Sequence, residues 1–163
     1  MKRPHDQGGE DTRALQAMDD GDGDLTDMLG ELRVLLPTAQ LLSAFLIAVP
    51  FAPGFRSIVQ AEKHVFLAMF LFSVAALVLF TAPAVQHRLM RPLRQRARFK
   101  ARASRQMLLG AAFLAVALVL ATQFVISEVL GHAVGNVAGI LIGGLIGTAW
   151  LLVPLIWNRR QSA

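Results

Sequence analysis

Four apolar runs, each long enough to cross a lipid bilayer, constrain this chain more than any other feature. They occupy residues 34–51, 65–85, 107–127 and 133–157, and none has an ionisable side chain in its central part. The shortest, 18 residues, makes about 27 Å of helix, close to the ~30 Å of a hydrocarbon core. The longest can span with some tilt. Pro50-Phe51-Ala52-Pro53-Gly54 ends the first run, and Pro83 stands near the end of the second. The pattern predicts an all-α fold: an integral membrane four-helix bundle.

Upstream of the first run the texture changes. Residues 1–31 carry nine acids against Lys2, Arg3 and Arg13, a net of −6, whereas residues 32–163 carry thirteen basic residues against Glu62 and Glu128. The net charge of +5 therefore averages two unlike regions. Residues 1–24 hold Gly8, Gly9, Gly21 and Gly23 among those acids and few large apolar side chains. Such a segment buries too little to offset chain entropy, and a disordered acidic tail is expected. Lys2 and Arg3 lead into acids instead of an apolar stretch, so the first run is expected to act as an uncleaved insertion signal. Leu25, Met28, Leu29, Leu32, Leu35 and Leu36 recur at helical spacing behind Asp24, a fitting N-cap. A short amphipathic lead-in helix follows from this, with Pro37 as a kink or the start of the spanning part. Residues 25–163 form the membrane domain.

The charge signal is concentrated at 87–106, expected as a loop between the second and third spans. Arg88, Arg91, Arg94, Arg96, Arg98, Lys100, Arg102 and Arg105 all lie there. Basic residues flanking spans stay cytoplasmic. Both termini then lie inside (N-in/C-in) in the plasma membrane, with Trp157 beside Arg159-Arg160 as an interfacial anchor. The simplest role for these charges is to set topology. Those from Arg91 to Arg105 would also meet anionic headgroups, at about 1 kcal/mol each before screening. The acidic tail, on the same face, could fold over them in a salt-sensitive contact. No nucleic-acid partner is expected, because the charges fill one loop instead of a polar face interleaved with aromatics.

Gly135, Gly139, Gly143 and Gly147 recur every four residues through the fourth run. Such a stripe lets a second helix approach closely. It could be another helix of this chain, with Ala44/Ala48 or Ala111/Ala115 opposite, or a second copy in a homodimer. Gln40, Thr81 and Thr148 fall at similar depths and could make an inward-facing polar layer, with Gln123, Ser127 and Asn136 toward the other face. On that other face Glu62, His64, Glu128 and His132 could gather around a cation, but the Gly131 interruption and the lack of a dense ligand motif favour ordinary interfacial polar residues. With no cysteine, thiolate chemistry is excluded. No hydrolase, kinase, P-loop or zincin pattern occurs, so no catalytic residue, metal or cofactor is expected.

The stretch Glu31-Leu32-Arg33-Val34-Leu35-Leu36-Pro37 with Gln40, then Ala44-Phe45-Leu46 and Val49-Pro50-Phe51, resembles the opening of an uncharacterised actinobacterial membrane-protein family. Ala82-Pro83-Ala84, followed by His87-Arg88 and Arg91, resembles its second signature. The resemblance covers about residues 29–92, and the last two helices by hydropathy and position. It implies a small four-span protein and picks out Glu31, Arg33, Gln40, His87 and Arg88 as an inner-face polar cluster. Some members carry a sodium:proton antiporter label. Such exchange generally needs an ionisable group within the membrane, and this chain has none at mid-depth. The expected role is therefore non-enzymatic, in helix packing or association with lipid or membrane partners. The alternative is a small oligomeric transporter of monovalent cations or protons.

Overall fold

A computed structural model describes residues 30–89 and 96–161, excepting the side chains of residues 87, 96–98, 100 and 158–161. The tail at 1–24, the first residues of the lead-in helix, and Arg91 and Arg94 lie outside the described residues. Helix α1 covers 30–48 and tightens into a 3-10 turn at Val49–Phe51. A second 3-10 turn, Phe55–Ser57, precedes α2, Gln60–Leu89. Helix α3 is Arg96–Leu130 and α4 is His132–Gly147. A π-helical turn, Thr148–Leu152, joins α4 to α5, Val153–Gln161. No strand occurs among the described residues.

Four stretches are long and apolar enough to cross a membrane: Gly30–Phe51, Gln60–Gln86, Ala101–Leu130 and His132–Trp157. The chain is a multi-pass membrane protein. These helices outrun the apolar runs at their ends, because flanking Gln, Lys, Arg and Glu are good helix formers. At about 1.5 Å per residue, the 35 residues of α3 make a rod of about 52 Å. The expected basic loop is accordingly much shorter: 96–106 is helical. Pro37 does not break α1, which runs on through it.

The buried positions explain why the first three helices pack. On α1 they are Leu32, Ala39, Ser43 and Leu46; on α2, Phe66, Met69, Ser73, Ala76, Phe80 and Pro83; on α3, Phe99, Ala103, Met107, Gly110, Leu114 and Ala117. Steps of three and four along each helix make one stripe per helix. Leu32, Ala39, Ala76, Phe80, Met107 and Leu114 form one cluster. Leu46, Phe66 and Met69 form another toward the α1–α2 turn, where the Phe55 and Phe66 rings meet edge to face at 4.9 Å. Lipid tails are as apolar as leucine, so close van der Waals fit holds such helices together. Small residues supply it: a Cβ at Gly110 would come within 2.7 Å of the Phe80 ring.

Helix α3 packs on α2 along one side and on α4 along the other, while α4 makes no close backbone approach to α2 among the described residues. One residue, Gly131, reverses the chain between α3 and α4. Its φ of 90° and ψ of 160° lie in a region open essentially to glycine alone. Its N–H donates to the Ser127 carbonyl at 2.9 Å, and its own carbonyl accepts from Gly135 N–H at 3.1 Å.

Candidate functional site

The resemblance singles out polar residues of α1 and of the end of α2. Glu31, Arg33, Gln40 and Arg88 are all exposed, and none has a hydrogen-bond or ion-pair partner among the described residues. The side chain of His87 lies outside the described residues. Helical phase explains the separation. Arg33 and Gln40 each follow a buried residue, Leu32 and Ala39, and one residue turns a side chain by about 100° away from the core.

The basic end of α3 is differently organised. Phe99, Ala103 and Met107 are buried, while Arg102 and Arg105 are exposed on other faces. The helix therefore has one side seated on the core and, at Arg102 and Arg105, an exposed cationic side. Arg96, Arg98 and Lys100 belong to the same helical turns, with side chains outside the described residues.

Within the spans, two side-chain hydrogen bonds join helices among the described residues. Ser43 and Ser73 pair through their hydroxyl oxygens at 2.8 Å, with 5% and 0% exposure, between α1 and α2. Gln123 Nε2 donates to Asn136 Oδ1 at 2.8 Å between α3 and α4. The expected layer of Gln40, Thr81 and Thr148 is not formed. Gln40 is exposed. Thr81 donates to the carbonyls of Leu77 and Val78, and Thr148 to that of Gly144. A threonine hydroxyl in a helix reaches its own preceding turn before it reaches a neighbour. The serine pair was legible only through its small neighbours, Ala39 four residues before Ser43 and Ala76 three after Ser73.

Three of the four striped glycines look onto α3 of the same chain. A Cβ at Gly135 would strike Ser127 Oγ and lie 2.8 Å from the Gln123 carbonyl. At Gly139 it would meet Gln123 Cβ at 3.3 Å, and at Gly143 Val119 Cγ2 at 3.6 Å. Gly147 has nothing within 4 Å. The surface opposite is thus Val119, Gln123 and Ser127, not Ala44/Ala48 or Ala111/Ala115.

At the other end of the spans, Glu62 has two tasks. Its Oε2 accepts the Val59 N–H at 3.2 Å, closing the first turn of α2 as a capping glutamate does. Its Oε1 lies 3.6 Å from His132 Nε2, joining the start of α2 to the start of α4. Lys63 Nζ donates to the Arg56 carbonyl at 3.2 Å. His64 and Glu128 are exposed, and no group of three residues able to hold a metal ion occurs among the described residues.

A family model described as a family of unknown function, DUF6328, matches residues 18–154. The chain belongs to that family. No curated protein and no solved structure matches it. In this DUF6328 chain the match takes in α1 to α4 and the π turn and stops at Pro154. All the inter-helix contacts above therefore lie within the family's extent. Among the described residues one buried acceptor lacks a partner: Gln106 Oε1 on α3 is shielded from solvent without a hydrogen bond.

Proposed function

We propose that this DUF6328 protein is a non-enzymatic component of the plasma membrane, with both termini and the basic end of α3 on the cytoplasmic side. Its role is to associate with anionic lipid, and through it with neighbouring membrane components. The observation that carries this reading is the two-sided start of α3. Phe99, Ala103 and Met107 anchor that turn in the core, while Arg102 and Arg105 project from the mouth of a spanning helix. Charge at that depth meets headgroups at about 1 kcal/mol per residue. The sequence supports the non-transporting role as well, since residues 65–86 and 106–127 contain no Asp, Glu, Lys, Arg or His. A proton or cation exchanger generally binds its cargo at such a group.

Reconstitution tests both parts. Proteoliposomes of phosphatidylcholine with rising phosphatidylglycerol are expected to enrich the anionic lipid around the protein, and the enrichment falls with salt. With a pH-sensitive dye inside, a sodium gradient is expected to move no more protons than in empty vesicles. Sodium-dependent proton flux would replace this reading with that of a small oligomeric antiporter.

A further inference from the structure

Two stripes run along nearly opposite sides of α3. The core stripe from Phe99 to Ala117 packs against α1 and α2. The second begins with Ser127, Gln123 and Val119, which meet the α4 glycines. Steps of three and four carry it on through Val116, Ala112, Leu109, Arg105 and Arg102. Its first half is partly buried under α4. Its second half is bare: Val116 is 41% exposed, Leu109 55%, and Ala112, Arg105 and Arg102 are exposed too.

The fourth span accounts for the change. Gly143 is the last of the striped glycines with an α3 side chain against it, and Gly147 faces open space. Every residue from Thr148 to Trp157 is exposed, and from the π turn onward the helix makes no close backbone approach to α2 or α3. The π turn itself follows from Pro154, which lacks the N–H an α-helical turn would use. The helix pair is therefore closed at Gly131 and open at its other end. One wall of the opening is Val116, Ala112 and Leu109; the other begins at Gly147. Arg105 and Arg102 stand at its mouth without an ion-pair or hydrogen-bond partner among the described residues.

We propose that this wedge holds one anionic phospholipid, with an acyl chain along Val116 and Gly147 and the phosphate on Arg105 and Arg102. The proposal rests on the lipid-associated reading above and deepens it: that reading needs only a charged surface, whereas this one needs a built seat. Charge decides the occupant. The walls are apolar and the mouth carries two cations, the inverse of an anionic lipid. A second copy docking through its own fourth helix would bring the uncharged stretch at 148–157 against those arginines and leave their charge unmatched.

The test is native mass spectrometry of the full-length protein released from vesicles of equimolar phosphatidylcholine and phosphatidylglycerol. One phosphatidylglycerol per chain is expected to remain bound after phosphatidylcholine has dissociated. The double substitution Arg102→Gln/Arg105→Gln is expected to weaken retention about 30-fold at low salt, and Arg88→Gln, on α2, by no more than about 5-fold. Gly147→Leu fills open space, so it should fold normally and abolish the retained lipid. If Gly147→Leu keeps wild-type retention while all three arginines contribute alike, the seat is refuted and the charged surface survives. If phosphatidylglycerol is held no better than phosphatidylcholine, both fall. A dimer that Gly147→Leu dissociates would assign the wedge to a second copy and overturn the proposal.

Discussion

Single side chains report on the packing most sharply where a small residue touches a large or polar one. The Ser43–Ser73 bond is dry and spans two helices, so a double-mutant cycle with alanine at both positions isolates it. The expected coupling is about 0.6 kcal/mol, the average for such contacts in membranes, read from unfolding in detergent; strictly additive losses would remove the bond from the account. Glycines give an internal contrast. Gly110→Ala drives a methyl into the Phe80 ring and should cost about 1–3 kcal/mol through overpacking. Gly144→Ala meets nothing within 4 Å and should be neutral or stabilising by up to about 1 kcal/mol. Equal melting temperatures for the two variants would contradict the interface. At this scale the sequence was only partly readable. Gln40 looked like an inward polar residue by depth, but depth carries no phase, and Ala39 beside it takes the buried position. Ser43 and Ser73 gave no signal of their own, since a serine hydroxyl serves its own helix as readily as a neighbour.

The helices themselves were easier to read than their ends. An apolar run of span length admits few alternatives, and each of the four lies inside an observed spanning helix. The basic stretch was the exception. Its charges suggested a loop, yet Phe99, Ala103 and Met107 already carried the helical period that seats α3 on the core. Charge density hid that period. The α3–α4 reversal depends on Gly131 alone, whose backbone angles exclude a side chain at low cost. Gly131→Ala is expected to destabilise by about 1–3 kcal/mol and to loosen the α3–α4 pair first. Hydrogen exchange should then rise in α4 before it rises in α1 and α2. Uniform exchange across all four helices would mean that the hairpin is not a separate unit. The apolar runs left a short gap between 127 and 133, which did not reveal that Gly131 is the whole connection.

For the molecule as a whole, α1, α2 and α3 share a buried core and α4 packs on α3. Charge motivates the proposed orientation: the eight basic residues from Arg88 to Arg105 lie at one end of the spans, and basic residues flanking spans stay cytoplasmic. The proposed lipid-associated role rests on the same asymmetry, because anionic headgroups can meet those arginines only if that end faces a negatively charged leaflet. The absence of cysteine from the chain makes a direct test clean, since each introduced thiol is the sole reporter. Ser57→Cys marks the exposed α1–α2 turn and Ser104→Cys the exposed start of α3. With a membrane-impermeant maleimide, Ser57→Cys is expected to label in intact cells and Ser104→Cys only after the membrane is opened. Labelling of Ser104→Cys in intact cells, with Ser57→Cys protected, would invert the topology and contradict the account.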